Sequence, residues 1–394
     1  MLYAKCSKSP GYKLYKTLKI SKRHKAPLTI VTNVVKLAQR TGNVTGNVLA
    51  SCPGRVWEMT IKDIARQCGV SVSTVSRVLN DRPDVSPAVR AAVLEAVRSS
   101  NYVPNNSARD LVKLSSDAVG LVVKGVSNPF YSDIIKAVER EIDAAGCTMV
   151  MQQIDISEDE VARGASMERE KKLRGLILLG GRSDYSAEDL GTITVPFVCC
   201  SFTNSFGTLS RSEYSSVSVE DAETAARAVR ELHRLGHRRI AALVSETDDR
   251  SISELRYRGY AKALREFGLE PDPALVASAG RFGMRDAYEA TMRLLDSGAE
   301  FTAIFCISDM MAIAAIKALE DRGRSVPGDC SVIGIDGLEF SEYTRPTLTT
   351  LVQPRERMGA ESVRILLDMI EGRGGNRQVM LETELRPGAS VRAV

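Results

Sequence analysis

A short run of hydroxyl side chains with a single arginine is the first group in this sequence with evident chemistry. The segment SVSTVSRVLN at 71–80 places Val72, Ser73, Ser76 and Arg77 outward when it is wound as a helix. A solvated helix face is normally rich in lysine and glutamate, whereas these small side chains allow a close approach to a partner. Hydroxyls and arginine donate hydrogen bonds to phosphates and to base edges. The segment therefore predicts contact with a nucleic-acid duplex.

A second set of polar residues stands mostly where apolar, strand-like runs end. Parallel sheets bind ligands at the carboxyl ends of their strands, so these residues are candidates for a binding cleft. Arg256 offers a rigid fork of donors and Asp336 offers two acceptors, which suits a polyol or a carboxylated sugar. The candidates are Ser127, Asn128, Ser201, Arg256, Ser308, Asp309 and Asp336.

Two of these candidates also have purely structural interpretations. Asp309 begins the helical run DMMAIAAIKAL and can serve as its cap. Arg256 lies in an arginine-rich stretch and can form a surface ion pair. Asp336 follows a wholly apolar strand, which favours a place at the cleft over a merely structural role.

Short helices with explicit start and stop residues must position the hydroxyl segment. Thr60, with Asp63 three residues later, resembles a capping box, and Gly69 suits the left-handed turn that ends a helix. Ser71 then caps a second helix after only a two-residue turn. Two helices joined by a glycine turn, the second exposing the hydroxyl face, form the helix-turn-helix pattern.

A third helix closes this small unit. Ser86 is expected to cap it, with Pro87 at its first position, where a missing N–H costs nothing. Apolar residues recur at helical spacing in all three segments and predict one shared core. They are Ile61, Ile64, Ala65, Val75, Val78, Leu79, Val89, Val93, Ala96 and Val97.

Residues beyond 117 alternate between apolar strand-like runs and amphipathic helices. The strand-like runs include AVGLVV, TMVMQQI, GLILLGG, VPFVCC, RIAALVS, FTAIFCIS and CSVIGID. Such alternation predicts doubly wound parallel sheets with helices on both faces. Because the pattern restarts midway, we expect an α/β core of two such lobes with a cleft between them.

The composition argues against several classes of protein. No apolar run is long enough to span a membrane, so no membrane partner is expected. The eight cysteines form no CxxC pair and the chain has three histidines, so neither a metal nor another cofactor is expected. Cysteines in apolar runs such as FVCCSF are typical of buried free thiols in a reducing compartment. We therefore expect a cytoplasmic protein, and the predicted contact with a nucleic-acid duplex adds the expectation that it is nucleoid-associated.

An enzyme and a periplasmic binding protein are the two alternatives with a similar core. The sequence has no GxxxxGK[ST] loop, no GxSxG motif and no histidines at metal-binding spacing, which argues against an enzyme. No secretory signal is expected, and the helix-turn-helix segment has no use in a periplasmic protein. Neither alternative predicts binding to heparin or to genomic DNA at low salt.

Residues 1–58 differ in charge from the rest of the chain. They carry 11 lysines and arginines and one acid, whereas the remaining residues carry 42 basic and 48 acidic side chains. Such a segment can be a basic arm attracted to phosphates or a targeting peptide. Because everything organised begins at Met59, a third interpretation is favoured. In it, residues 1–58 are a disordered extension from a miscalled start, and Met59 is the initiator.

The segment 60–80 closely resembles the headpiece of the lac-repressor (LacI/GalR) family. It matches the family pattern T-hydrophobic-x-D-hydrophobic-A-x-x-x-G-V-S-x-x-T-V-S-R-V-L-N almost letter for letter. NYVPNNSARDL at 101–111 resembles the family's junction, in which a short hinge helix follows Y-x-P-N. The resemblance continues to about residue 385 and implies a core like that of periplasmic sugar-binding proteins.

By position, the resemblance assigns DNA contacts to individual residues. Val72, Ser73 and Arg77 match base-reading positions. Leu111, with Ala108 near it, matches the hinge leucine that wedges into the minor groove, which requires two hinges side by side. The positions that match contacts to the DNA backbone are Ser71, Thr74, Ser76, Asn80, Tyr102 and Asn105.

The resemblance also implies an effector and an assembly. Arg256, Ser308 and Asp336 match positions that hold the hydroxyls of an effector, whereas Ser201 stands where sugar-binding relatives often carry an acid. We therefore expect a transcriptional repressor that binds a palindromic operator as a homodimer and responds to a small, sugar-like effector. The expected parts are a headpiece at 59–104, a hinge and linker at 105–116, a first lobe at 117–216 and 352–381, and a second lobe at 217–351 and 382–394.

Overall fold

The computed structural model of the protein contains two units that are described separately, a headpiece and a core. Among the described residues, no helix is both long and apolar enough to cross a bilayer. The extension predicted at 1–58 and the hinge predicted at 105–116 lie outside the described part of the chain. The structure describes residues 59–79 and 82–100 of the headpiece, and residues 117–125, 128–247 and 250–394 of the core.

The headpiece contains three helices in the predicted order. The backbone N and the Oγ1 of Thr60 both donate to Asp63 Oδ2, at 3.1 and 2.6 Å, which fixes the first turn. Gly69 ends the first helix with φ at 64°, a left-handed conformation that glycine adopts without strain. The helices are α1 (Ile61–Cys68), α2 (Val72–Leu79) and α3 (Pro87–Ser99).

The predicted headpiece core is confirmed, with one correction at a helix start. Ser86 occupies the N-cap position of α3, but its hydroxyl makes no cap hydrogen bond with the described residues. Its carbonyl accepts the first helical bond instead, from Arg90 N at 3.0 Å. Four of the expected apolar residues are only partly buried, namely Ile61, Leu79, Val89 and Val97. The buried core residues are Ile64, Ala65, Val75, Val78, Val93 and Ala96.

The core alternates strands and helices as the apolar pattern predicts. Its first half contains β1 (Ala118–Lys124), α4 (Tyr131–Ala144), β2 (Thr148–Ile154), α5 (Glu160–Lys171), β3 (Gly175–Leu179), α6 (Ala187–Leu190), β4 (Phe197–Cys200) and β5 (Ser215–Val219). Its second half contains α7 (Asp221–Arg234), β6 (Ile240–Val244), α8 (Ile252–Glu266), β7 (Val276–Ser278), α9 (Met284–Asp296), β8 (Ala303–Cys306), α10 (Asp309–Asp321) and β9 (Ser331–Asp336). The closing elements are β10 (Thr349–Val352), α11 (Arg355–Ile370), β11 (Gln378–Leu381) and β12 (Glu384–Arg386).

These strands form two six-stranded sheets, one in each lobe. The first has the order β2-β1-β3-β4-β5-β11 and is parallel throughout. The second has the order β7-β6-β8-β9-β10-β12, and only its last strand, β12, is antiparallel to its neighbour. The predicted pair of doubly wound sheets is therefore confirmed, with one reversed edge strand.

The chain passes between the two sheets three times. It leaves the first sheet after Val219, returns to it after Val352 and leaves it again after Leu381. Val217, where the first crossing was expected, still pairs with Cys200 and Val379 inside the first sheet. The exact limits of the two lobes stay predictions.

Helix α11 packs closely on the first lobe after the second crossing. A Cβ at Gly359 would lie 2.6 Å from Ile134 O and 2.9 Å from Ala137 Cβ. Only glycine therefore lets α11 approach α4 at this depth. The contact holds the segment that follows the crossing against the first lobe.

Candidate functional site

The exposed face of α2 is the candidate DNA-binding surface of the headpiece. Ser71 Oγ accepts a hydrogen bond from Thr74 N at 3.1 Å, so the predicted N-cap is present. The same hydroxyl lies 2.7 Å from Ser73 Oγ and 2.8 Å from Thr74 Oγ1. This hydroxyl cluster lies at the start of the helix, where the backbone N–H groups of the first turn can also bind an anion such as a phosphate.

The side chains predicted to read bases point into solvent. Val72 is 40% exposed, and Ser73 is also exposed. Arg77 Nη1 lies 3.5 Å from Asp84 Oδ2, and both side chains are more than half exposed. An exposed pair of this kind contributes little to stability, so Arg77 can exchange Asp84 for another acceptor.

Several predicted contacts fall outside the described residues. On the DNA side they are Asn80, Tyr102, Asn105, Ala108 and Leu111, and on the effector side Ser127. Of the remaining predicted DNA contacts, Thr74 and Ser76 are half-buried on α2.

The carboxyl edge of the second sheet carries a buried charged set centred on Arg256 of α8. Arg256 Nε donates to Asp221 Oδ1 at 2.8 Å, and Nη1 donates to the carbonyl of Ile307. Nη1 also lies 3.7 Å from Asp336 Oδ1. The surface ion pair considered for Arg256 is therefore wrong, because the side chain is only 6% exposed and its acidic neighbours are buried as well.

Asp336 ends β9 in a strained conformation at this edge. Its φ is 133°, which a residue with a Cβ rarely adopts. Gln353 Nε2 donates to its Oδ1 at 2.9 Å. Burial raises the pKa of Asp336 to about 7, and nearby Asp309 adds to this, while Arg256, Gln353 and Arg355 oppose it.

Ser308 and Asp309 follow β8, but their side chains form hydrogen bonds with other residues of the second lobe. Ser308 Oγ accepts from Met311 N at 3.3 Å and so caps α10. The fully buried carboxylate of Asp309 accepts from Leu338 N at 2.8 Å and from Ser341 Oγ at 3.2 Å. It also accepts from Thr350 Oγ1. Asp309 thus ties loops of the second lobe together. The cap role considered for Asp309 is wrong, because Ser308 caps α10.

Ser201 is the described candidate on the first lobe. It follows β4 with φ at 69°, and its N donates to Val217 O at 2.8 Å. The residue is 6% exposed. Its left-handed backbone turns the chain at the carboxyl edge of the first sheet, where the candidate cleft lies.

Three further residues belong to this region, although sequence reasoning did not select them. Asp221 is the closest acid to Arg256, and its position two residues after the end of β5 was the available signal. Tyr131 lies at the start of α4, and a Cβ at Gly180 would be 2.5 Å from its hydroxyl. Arg355 stands at the start of α11, directly after a crossing between the lobes.

Arg355 connects the two lobes at their crossing. Its Nε donates to Asp133 Oδ2 at 3.1 Å, on α4 of the first lobe. Its Nη1 donates to the carbonyls of Asp336 and Gly337 in the second lobe, the latter at 3.0 Å. The arginine therefore holds the strained turn after β9 against the first lobe.

The described residues offer no arrangement for metal or thiol chemistry. No group of three or more metal-ligating side chains occurs among them. The six described cysteines are free; Cys199, Cys200, Cys306 and Cys330 are buried, whereas Cys68 and Cys147 are partly exposed. The described polar groups of the site can bind a ligand through hydrogen bonds and charge.

Two families match separate parts of the chain. Residues 60–105 match the family described as bacterial regulatory proteins, lacI family. Residues 201–391 match the periplasmic binding protein-like domain. The two matches correspond to the unit that presents α2 and to most of the unit that contains the two sheets.

Individual proteins match along most of the chain. The HTH-type transcriptional regulator MalR of Clostridium butyricum is 41% identical over 329 residues, which are 83% of this chain and 97% of MalR. The structure of the transcriptional regulator CelR in complex with cellobiose is 31% identical, with a TM-score of 0.64, and the match covers 84% of this chain and 99% of CelR. The structure of the lac repressor dimer bound to operator and the anti-inducer ONPF is 26% identical, with a TM-score of 0.70, over 85% of this chain and 99% of that one. All three are regulators, and none is named as an enzyme.

Proposed function

This chain belongs to the lacI family of bacterial regulatory proteins, and we propose that it is a transcriptional repressor controlled by a sugar-like effector. In this proposal a homodimer binds a palindromic operator through two headpieces. The effector occupies the cleft at the carboxyl edges of the two sheets. The observation that carries the proposal is the exposed face of α2, whose small side chains and single arginine suit a DNA groove.

The DNA contacts divide into two kinds. Val72, Ser73 and Arg77 read base edges, and the hydroxyls of α2 hold the backbone. The remaining backbone contacts and the hinge wedge rest on the resemblance alone. The backbone group is Ser71, Thr74, Ser76, Asn80, Tyr102 and Asn105, and the hinge group is Ala108 and Leu111.

Two features support a dimer, namely the small base-reading face of α2 and the proposed minor-groove wedge of the hinge. One headpiece makes few base contacts, so tight and specific binding needs two half-sites related by a dyad. A minor-groove wedge at the centre of an operator also needs two hinges together. The lac repressor dimer bound to operator, with a TM-score of 0.70 to this chain, supports this assembly.

The effector site is assigned to the buried polar groups at the cleft. Arg256 and Asp336 supply donors and acceptors for the hydroxyls of a ligand, with Ser308 beside them. Ser201 and Ser127 are proposed to contribute from the first lobe. The relative CelR is named in complex with cellobiose, which supports a sugar. Asp309 is assigned to holding the second lobe together, because its oxygens already accept three hydrogen bonds.

Binding-site selection from random duplex DNA tests this function directly. We expect the full chain to enrich one motif with two-fold symmetry, and a sugar to change its affinity for that motif. The variant Arg90→Lys is the control, because it keeps the charge and lies on α3 rather than on the proposed reading helix α2. It should select the same motif as the parent. Enrichment of no motif, with binding that follows only salt concentration, would contradict a sequence-specific repressor.

A further inference from the structure

An acid lies beside the arginine that is proposed to read bases. Asp84 Oδ2 is 3.5 Å from Arg77 Nη1, and both side chains are more than half exposed. Arg77 belongs to α2, whereas Asp84 lies in the turn just before α3. The proposed function gives Asp84 no role, although a carboxylate on a DNA-binding face faces repulsion from the phosphates.

The backbone on both sides of Asp84 is attached to the rest of the headpiece. Before it, Arg82 N donates to Arg77 O at 3.0 Å, and Arg90 Nη2 of α3 donates to Arg82 O. After it, Val85 packs against the headpiece core. The carboxylate is therefore held at a fixed place near the end of α2, within reach of the guanidinium of Arg77.

An arginine side chain can contact an acid and a base edge at the same time. Its guanidinium carries five N–H donors in one plane. Guanine accepts two of them, at O6 and N7 in the major groove. A carboxylate beside another part of the fork limits the rotamers of this long side chain, so less entropy is lost when the base contact forms. A pair that adds little to folding stability can thus add to recognition of one base.

We propose that Asp84 is a positioning residue for base recognition, which orients the guanidinium of Arg77 toward guanine in each half-site. This inference rests on the base-reading role of α2 in the proposed function. A phosphate that approached Arg77 would also approach the like charge of Asp84, whereas guanine is neutral. Asp84 therefore favours guanine over the DNA backbone as the acceptor for Arg77.

The variant Asp84→Asn tests this role because it removes the charge and keeps the shape. The probes are the duplex that the parent selects from random DNA and a scrambled duplex of the same length and composition. Loss of one negative charge strengthens binding to any duplex, and this general effect cancels in the ratio of the two affinities. We expect the ratio to fall about threefold per half-site, with an unchanged melting temperature. Fluorescence anisotropy measures both affinities, and an unchanged ratio would refute the role of Asp84.

A matched control removes an acid elsewhere in the headpiece. Glu95 is exposed on α3, so Glu95→Gln changes the net charge by the same amount as Asp84→Asn. The ratio of affinities for the selected and scrambled duplexes should stay at the value of the parent. A fall as large as that of Asp84→Asn would show that net charge sets the ratio, and would overturn the positioning role.

A double variant shows whether Asp84 acts through Arg77. The guanidinium is missing in Arg77→Ala, so adding Asp84→Asn to it should leave the ratio unchanged. Binding-site selection gives a second measure, since Asp84→Asn should weaken the motif at the same position that Arg77→Ala relaxes. A further fall of the ratio in the double variant, or weakening at another position, would show that Asp84 acts on DNA without Arg77 and would contradict the proposal.

The outcomes separate this inference from the proposed function. If the parent selects no motif, the sequence-specific repressor is wrong and this inference fails with it. If the parent selects a motif that Arg77→Ala leaves unchanged, base reading by Arg77 is wrong and the inference fails as well. If Arg77→Ala relaxes the motif and Asp84→Asn behaves as the parent does, only the positioning role of Asp84 is refuted.

Discussion

Arg256 lies closer to Asp221 than to Asp336, with separations of 2.8 and 3.7 Å from the guanidinium nitrogens to the carboxylate oxygens. All three side chains are almost fully buried. The single positive charge of Arg256 therefore compensates the carboxylate of Asp221 more strongly than that of Asp336. The acid that is less well compensated, Asp336, has its pKa raised by burial to about 7, so it exchanges a proton near neutral pH.

The first prediction concerns the pH dependence of folding. The folded pKa of Asp336, about 7, lies above its unfolded value, so the folded state binds the proton more tightly. Its contribution to stability is complete below about pH 4 and is lost as pH rises toward 7. The variant Asp336→Asn cannot ionise at this position and does not suffer this loss. The difference in unfolding free energy, variant minus parent, should therefore rise by about 1–3 kcal/mol between pH 5 and pH 8.

Urea unfolding of both proteins at several pH values measures this difference. The asparagine oxygen can still accept from Gln353 Nε2, which limits other changes. Parallel stability curves for the two proteins across this range would show that Asp336 does not titrate as its burial requires.

The second prediction concerns base reading by α2. Arg77→Ala should relax the selected motif at one position and cost about 1–3 kcal/mol per half-site. Ser71→Ala and Thr74→Ala should weaken binding to all sequences alike, because their contacts are with the backbone. Binding-site selection with each variant measures both effects. An unchanged motif for Arg77→Ala would exclude a base-reading role for this arginine.

The headpiece and both sheets could be predicted from local patterns because their cores follow helical or strand periods. Val75 and Val78 are buried as the helical repeat requires. The strand β5, with the sequence SSVSV, is buried along its whole length although three of its five residues are serines. Hydrophobicity alone therefore did not reveal it, since its hydroxyls are placed inside the fold by the neighbouring strands.

The site was predicted less completely because its contacts join residues that are distant in the sequence. The pattern selected Arg256 and Asp336, but not Asp221, whose side chain reaches Arg256 from the start of another helix. Asp309 has the chemistry of a ligand-binding residue and the position of a cap, and its contacts show a third role in bracing loops. The place of a residue after a strand predicts that it lies at the carboxyl edge of the sheet. The direction in which its side chain points depends on packing and is not predicted by the sequence pattern.

The third prediction concerns the close packing of α11 on α4. In Gly359→Ala the new methyl group meets backbone at Ile134 O and side chain at Ala137, neither of which can move freely. We expect a loss of about 1–3 kcal/mol in unfolding free energy, although alanine favours helices. Gly375→Ala, where no heavy atom lies within 4 Å of the new Cβ, is the control. Equal stability of the two variants in urea would contradict the packing argument.

The fourth prediction concerns oligomeric state. The proposed operator wedge needs two hinges, so the protein should be a dimer at micromolar concentration. Light scattering coupled to size exclusion measures the mass directly. A stable monomer or a tetramer would contradict the proposed assembly, and a monomer would also leave tight operator binding without an explanation.

The last prediction links the cleft to the DNA. In the proposed assembly, we expect a ligand held by both lobes to favour one arrangement of them and, in a dimer, to change the separation at which the two hinges begin. Both the effector and the operator DNA then shift the equilibrium of hinge pairing. The expected coupling free energy between the effector site and the DNA site is about 1–3 kcal/mol. Leu111→Ala should lower operator affinity and leave effector affinity of the DNA-free protein unchanged. Asp336→Ala should abolish the effector response, while operator binding without effector persists. Fluorescence anisotropy and calorimetry on both variants measure the four affinities, and a normal effector response in Asp336→Ala would move the effector site to other residues.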